Sequence, residues 1–371
     1  MSEYFDGRLA IQQRVVPRYR AVFFESLAGR CRAGLTVYAG QPLAMEAIHT
    51  VRSIDGVGFH SAATFHLFFP GHPLFLCWQP GLISWLEKMD PDLLIVEANP
   101  RYRSIARAVD WMHHRQRPVL GWGLGSPPQD RSWRFQSRSR WLSRLDGILS
   151  YSRQGASEYQ RLGLWDPACV FYAPNAVAIS GTLNRRRPPA LKDGARLRLL
   201  FVGRLQDRKR LDLLIKACAV LPRDRRPQLV IVGDGPAGTA LRQMAADLHP
   251  DTRFTGALEG VDLEREFLSA DLFVLPGTGG LAVQEAMSYG LPAIVAEGDG
   301  TQADLIRPGN GWLVPPGDLF ELVKAVNNAI SDPVKLARMG EESRRIVTEE
   351  INLDVMVAAF IQAARLVRIR R

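Results

Sequence analysis

DLFVLPGTGGLAVQEAMSYGLPAIVAE, residues 271–297, is the stretch on which the fold turns. Its run LFVL (272–275) is short and apolar throughout, as a strand buried on both faces must be. A glycine-rich turn, GTGGL at 277–281, leads into LAVQEAMSY (281–289), a helix closed by Gly290. A second apolar run, PAIVA at 292–296, completes a βαβ unit, whose strands lie parallel in one sheet.

The same rhythm extends outward. Strands are expected at 197–202 (LRLLFV) and 228–232 (QLVIV). Between them, residues 209–221 set Leu211, Leu214, Ile215 and Cys218 on one helical face. Asp318 with Glu321 reads as a capping box opening a helix over 319–331, followed by helices at 333–339 and 342–350 and a last one from about Asp354. These residues describe an α/β protein with a parallel, doubly wound sheet. In the first half, strand candidates are 34–39, 92–96, 118–121 and 147–151, with helices near 19–29, 104–115 and 155–162. The aromatic stretch 65–78 (FHLFFPGHPLFLCW) is broken by Pro70, Gly71 and Pro73, so it is not one long helix. It is expected in the core, with a membrane-facing loop as the alternative.

At 371 residues and 46% hydrophobic, the chain exceeds what one core usually holds. The expected organisation is a first domain over 1–180, a polar, Pro- and Arg-rich linker over 181–196, a second domain over 197–352 and a C-terminal helix over 353–371. Cys31, Cys77, Cys169 and Cys218 show no CxxC spacing, which argues against a disulfide framework or a zinc cluster and for a reducing compartment. No run reaches the length needed to span a bilayer, so a cytoplasmic protein, or one peripheral to the inner face of a membrane, is expected. The net charge of +9 sits in the first half: residues 1–190 hold 23 Arg plus Lys against 14 Asp plus Glu, and 191–371 hold 24 of each. Such a field draws anionic headgroups or pyrophosphate-bearing acceptors; nucleic acid is not the expected partner.

The chemistry begins at GTGGL. A glycine turn from a strand end into a helix lets backbone N–H groups approach an anion, and the helix dipole adds to the attraction. The G-K-[ST] ending of a P-loop is absent. Glu285 lies one turn into the helix, where its carboxylate can reach back to a ribose diol. VGRLQDRK (202–209) also leaves a strand for a helix, placing Gly203, Arg204 and Lys209 on the carboxyl edge, where two cations would stabilise a leaving diphosphate. GDGPAG (233–238) satisfies G-x-G-x-x-G, but it lies in the second βα unit and no acid-ended strand follows, so a plain turn with Pro236 opening a helix competes with a dinucleotide-dependent oxidoreductase. EANPR (97–101) puts Glu97 and Arg101 on another carboxyl edge, and GWGLGSPP (121–128) is a further glycine-rich loop. The seven histidines share no helical face, so no catalytic metal is expected.

FVGRLQDRKRLDLLIKA, LVIVGDGPA, RFTGAL, ADLFVLPGTGGLAVQEAMSYGLPAIVAE and GWLVPPGD, in this order, resemble the donor half of family-four retaining glycosyltransferases of GT-B fold. The first half is similar to a subgroup of that family through QQRVVPRYRAVFFESL, LLIVEANPR, PVLGWGLGS and YAPNAV. The resemblance implies two Rossmann-like domains facing a central cleft and a metal-independent, configuration-retaining hexosyl transfer. The donor would be UDP-, GDP- or ADP-linked, and the acceptor a glycan or a lipid-linked intermediate of a surface polysaccharide. Arg204 and Lys209 would hold the donor diphosphate, the backbone from Gly277 and Thr278 through Gly279, Gly280 and Leu281 would line it, Glu285 would bind the ribose and Gly256 the base. On the acceptor side the resemblance points to Gln13, Arg14, Glu97, Arg101 and Leu124, and the last helix would cross back to the first domain. The sequence departs from the pattern at Gly277, where the family usually has a sugar-contacting Glu, at Leu124 in place of a loop His, and at Gln13–Arg14 in place of a Gly-Gly turn. Gly277 and Leu124 motivate the alternative of a catalytically silent, nucleotide-sugar-binding subunit.

Overall fold

The computed structural model of the chain describes residues 3–46, 48–70, 72–125, 133–179 and 196–370. The chain divides into two compact units: Met1–Ala178 together with Leu353–Arg371, and Ile179–Asn352. Apart from Arg196, the expected linker lies outside the described residues, as do residues 126–128 of the GWGLGSPP loop.

The first unit contains β1 (Leu9–Val15), β2 (Leu35–Gly40), β3 (Val57–Ser61), β4 (Phe65–Leu67), β5 (Leu76–Trp78), β6 (Leu93–Glu97), β7 (Val119–Gly123), β8 (Gly147–Ser150) and β9 (Val170–Tyr172). Seven of these strands form a sheet in the order β3-β2-β1-β6-β7-β8-β9, parallel throughout. Both faces are buried. Leu9, Ile11, Leu35, Val37, Leu93 and Ile95 pack with the helix Ala21–Ala28 and the last helix, Leu353–Ile369. Their neighbours Ala10, Tyr38, Leu94 and Val96 face the helices Leu82–Met89 and Arg103–His114. Phe360 of the last helix meets Phe23 and Trp122 with ring centroids 5.0 and 4.8 Å apart, so the chain's final helix is part of this core.

The central strand β1 stands where the sequence reading has none. Its second half, Gln12–Gln13–Arg14, is polar, and an apolar run of only three residues precedes it. The core expectation for 65–78 is corrected as well. Strands β4 and β5 form a separate antiparallel hairpin in which Phe75 and Cys77 are buried, while Phe65, Leu67, Phe68, Phe69, Leu74 and Trp78 are exposed. The three central residues on each side alternate, so only one face of a two-stranded ribbon can be covered.

The second unit holds β10 (Arg198–Val202), β11 (Gln228–Val232), β12 (Arg253–Gly256), β13 (Leu272–Leu275), β14 (Ala293–Ala296) and β15 (Gly311–Val314) in the parallel order β12-β11-β10-β13-β14-β15. This is the doubly wound order: the chain leaves β10 toward β11 and leaves β13 in the opposite direction, toward β14. The connecting loops diverge there, and a crevice opens at the carboxyl ends of β10 and β13. The first unit repeats the arrangement between β1 and β6. Two local readings change. Asp318 accepts the Glu321 N–H at 3.0 Å, but the Glu321 carboxylate pairs with Lys324, so only half of the capping box forms. The helices expected at 333–339 and 342–350 are one helix, Pro333–Arg345, followed by a π turn over Ile346–Glu350.

Candidate functional site

At the crevice of the second unit, two loops are stapled together. The strand β10 ends at Val202, and the chain passes Gly203 and Arg204 to a tight turn, Asp207–Lys209, before the helix Leu211–Ala219. From β13 it enters the turn 276–280 and the helix Leu281–Ser288. The Thr278 N–H donates to the Arg208 carbonyl at 3.0 Å, Arg208 Nη1 to Thr278 Oγ1 at 3.2 Å, and Lys209 Nζ to the Thr278 carbonyl at 2.7 Å.

This contact explains two of the glycines. A Cβ at Gly277 would lie 2.3 Å from the Arg208 carbonyl oxygen and 2.5 Å from the Lys209 carbonyl carbon, so the backbones touch where a side chain would stand. Gly279 has φ +144°, and a Cβ there would lie 2.5 Å from Lys209 Nζ. The lysine therefore lies beneath the loop that opens the helix, and burial, helped by the neighbouring Arg208 charge, lowers its pKa to about 8. Gln302, itself 4% exposed, donates from Nε2 to the Gly279 carbonyl at 3.1 Å and braces the loop from the helix Thr301–Leu305 after β14.

Glu285 is partly buried one turn into the helix, and its carboxylate has no partner among the described residues. Burial holds its pKa above the usual carboxylate range. No side chain caps this helix at Gly280. Arg204 is exposed and likewise unpartnered among the described residues. Arg208 is committed to Gln206 and Thr278, and Arg210 to Asp212. Gly256 ends the edge strand β12, two strands from β10 and hence roughly 10 Å along the same carboxyl edge.

GDGPAG has a structural explanation. Leu205 donates its N–H to the Asp234 carbonyl at 2.9 Å and accepts from Ala237 N–H at 3.1 Å, so the motif clasps the loop that carries Arg204. Pro236 lies in the turn before the helix, which begins at Gly238.

In the first unit, Gln13, Arg14 and Glu97 meet at the crevice between β1 and β6. The β1–β2 register slips between Gln13 and Val15, a bulge that interrupts the alternation at Arg14. The Arg14 N–H donates to Glu97 Oε1 at 2.7 Å, while its guanidinium grips Glu46 through two bonds of 2.6 and 2.9 Å. Burial pushes the Glu97 carboxyl above its ordinary pKa. Burial acts the same way on Glu46, but Arg14 and the Leu43 N–H outweigh it and hold that carboxyl below the usual range. The Gln13 amide turns back onto the Gln12 carbonyl at 3.3 Å. Arg101 and Leu124 are exposed and do not join this cluster.

Glu46, Gln79, Arg20 and Gln302 are site-supporting residues that sequence reading passed over. Gln79 bonds Gln12 at 2.7 Å, and Arg20 lies over the Trp122 ring at 5.5 Å while donating to Asn175, which accounts for the PRYR and YAPN segments. Each acts across more than 20 residues of sequence, so no local pattern marks it. Among the described residues no group of three or more His, Cys, Asp or Glu could hold a metal ion, and no helix is long and apolar enough to cross a membrane.

The comparisons with known proteins agree with this architecture. The family "Glycosyl transferases group 1" matches residues 184–346. The sulfoquinovosyl transferase SQD2 of Arabidopsis thaliana is 33% identical over 301 residues, 73% of this chain and 56% of that protein. A GDP-mannose-dependent monoacylated alpha-(1-6)-phosphatidylinositol monomannoside mannosyltransferase of Corynebacterium glutamicum is 32% identical over 165 residues, 42% of this chain and 43% of the relative. The chain thus spans about half the length of these two relatives. Among solved structures, the lipopolysaccharide outer core galactosyltransferase WaaB superposes with TM-score 0.68 at 18% identity, covering 97% of this chain and 99% of that one. Anabaena HepE in complex with UDP-glucose superposes with TM-score 0.64 at 16% identity, covering 97% and 99%. Residues 184–346 are therefore a glycosyl transferases group 1 domain, and the chain that carries it has the GT-B fold.

Proposed function

We propose that the chain transfers a hexose, with retention of configuration and without a metal, from a UDP-, GDP- or ADP-linked donor to a hydroxyl of a glycan or lipid-linked acceptor in surface polysaccharide assembly, at the cytoplasmic side of a membrane. One observation carries the reading: the loops at the carboxyl ends of β10 and β13 hold a partly buried lysine and an uncapped helix behind a glycine turn, and one turn into that helix lies a partly buried carboxylate with no partner among the described residues. Lys209 and Arg204 supply positive charge for the diphosphate, and the amides from Gly279 to Leu281 supply donors. Glu285 accepts from the ribose diol, and the Gly256 edge accommodates the base.

In the reaction, the bond from the anomeric carbon to the phosphate oxygen breaks as the acceptor oxygen bonds to the same face of the sugar, and the acceptor proton passes to the departing phosphate. The cations stabilise the charge that develops on that phosphate. On the acceptor side, Gln13, Arg14 and Glu97 are occupied with one another and with Glu46, so their part is to shape the edge, which leaves Arg101 and Leu124 to meet the acceptor. Calorimetric titration with UDP, GDP and ADP tests the donor site: one of them binds, and failure of all three removes the proposal. Proton NMR of the product then reports the anomeric configuration.

The absence of room at Gly277 favours a second reading, a nucleotide-sugar-binding subunit that does not turn over. A sugar-contacting carboxylate cannot be carried there without moving the 208–209 backbone. Donor hydrolysis or transfer by the purified chain excludes this reading.

A further inference from the structure

The β4–β5 hairpin is turned inside out for a protein in water. A two-sided ribbon ordinarily puts apolar residues against the body and polar ones outward. Here the inner positions are His66, stacked on Phe75, and Cys77, whose N–H donates to the Arg101 carbonyl at 3.0 Å. The outer positions are Phe65, Leu67 and Trp78, with the Phe65 and Trp78 rings stacked at 5.4 Å. Beyond the strands, Phe68, Phe69 and Leu74 extend the apolar surface, and exposure runs from 42% at Trp78 to 60% at Leu74. Phe68 holds a left-handed backbone (φ +62°), a conformation that costs a bulky residue free energy, and its ring packs only on His72, at 4.2 Å, among the ring contacts of the tip. Six large apolar side chains facing water in one place mark a surface made to be covered.

The charges beside the patch say by what. Arg101 itself carries the carbonyl that holds Cys77, and Trp78, Arg103 and Arg107 line one groove of about 520 Å³. All three arginines are exposed. No Asp or Glu occurs in residues 56–86 or 98–109. Aromatic rings at the tip with exposed arginines beside them match the layering of an anionic bilayer, where rings sit at the headgroup level and Lys or Arg meets phosphate, and the carboxylates nearest the inner face of the hairpin, Glu46 and Glu97, are held by Arg14.

We propose that the β4–β5 hairpin docks the chain on an anionic membrane, with Phe68, Phe69 and Leu74 entering the interfacial layer and Arg103 and Arg107 on the headgroups. This goes beyond the transferase reading and holds whether or not the chain moves a sugar. The test is flotation of the full chain with vesicles of phosphatidylcholine alone and of phosphatidylcholine with phosphatidylglycerol in equal parts. The wild type floats with the mixed vesicles and much less with the neutral ones, and added salt weakens binding. Phe68→Ser with Phe69→Ser lowers the partition coefficient by about a hundredfold, taking about tenfold per buried ring. Arg103→Gln with Arg107→Gln lowers it by about fivefold per arginine at low salt. Thermal unfolding confirms that the variants fold, and Leu74→Ser serves as an independent tip variant. Absence of flotation on mixed vesicles overturns the proposal, as does unchanged flotation of the folded phenylalanine variant. A wild-type dimer in sedimentation velocity, converted to monomer by the phenylalanine substitutions without loss of flotation, also overturns it, in favour of a second copy of the chain as the occupant.

Discussion

With a pKa of about 8 in the empty site, Lys209 is about nine-tenths protonated at pH 7 and about one-tenth at pH 9. A bound diphosphate places negative charge beside the ammonium and holds the proton on, because it supplies the counter-charge that burial denies. The nucleotide's terminal phosphate, with a second pKa of about 6, is ionised over this whole range and adds no slope of its own. Affinity for the nucleoside diphosphate that binds should therefore fall about tenfold between pH 7 and pH 9, with proton uptake visible in calorimetry as a dependence of the binding heat on the buffer. In Lys209→Met the affinity at pH 7 is lower and the slope over that range disappears. The sign for folding is opposite to that of a paired lysine. Burial depresses this pKa below the unfolded value of 10.5, so the charged form opposes folding, and the stability of the ligand-free wild type relative to Lys209→Met should rise as the pH climbs from about 8 to 10.5. A wild-type affinity that is constant from pH 7 to 9, or a slope that survives in Lys209→Met, refutes the reasoning.

Gly277→Glu forces a side chain into the 208–209 backbone and should cost about 1–3 kcal/mol in denaturant unfolding, with nucleotide affinity lost as the loops part. Glu285→Gln removes a partly buried carboxylate that has no partner among the described residues, so the melting temperature should hold or rise while nucleotide affinity falls by about an order of magnitude, the size of one charge-assisted hydrogen bond. Glu46→Ala strands Arg14, whose side chain and that of Glu46 are each 13% exposed, and should destabilise the first unit by about 3–5 kcal/mol in chemical denaturation. Because its partners hold the Glu46 carboxyl below the usual range, the stability that this pair contributes is present above the unfolded pKa and is lost as the pH falls through the folded one. An acid-unfolding curve of Glu46→Gln that is flatter than that of the wild type would show it.

The amino-acid sequence by itself determined the βαβ rhythm of the second unit, because a parallel sheet covered on both faces demands uninterrupted apolar runs, and LLFV, LVIV, LFVL and AIVA are such runs. It also determined the position of the glycine turn 277–281 and of Glu285 one turn into the helix, since both depend only on neighbours in the chain. What it could not disclose were the elements whose pattern is interrupted by function or by partners distant in sequence. The strand β1 is masked by Gln12, Gln13 and Arg14, polar residues buried at the crevice with Gln79, Glu46 and Glu97. The hairpin residues 65–78 resemble core by composition, and only their placement on a ribbon with one covered face shows that six of them meet water. The partial burial of Lys209, the contact that requires glycine at 277 and the bracing of Gly279 by Gln302 join segments about 70 and 23 residues apart. Desolvation and close packing are properties of surroundings, and those surroundings are assembled by the tertiary structure.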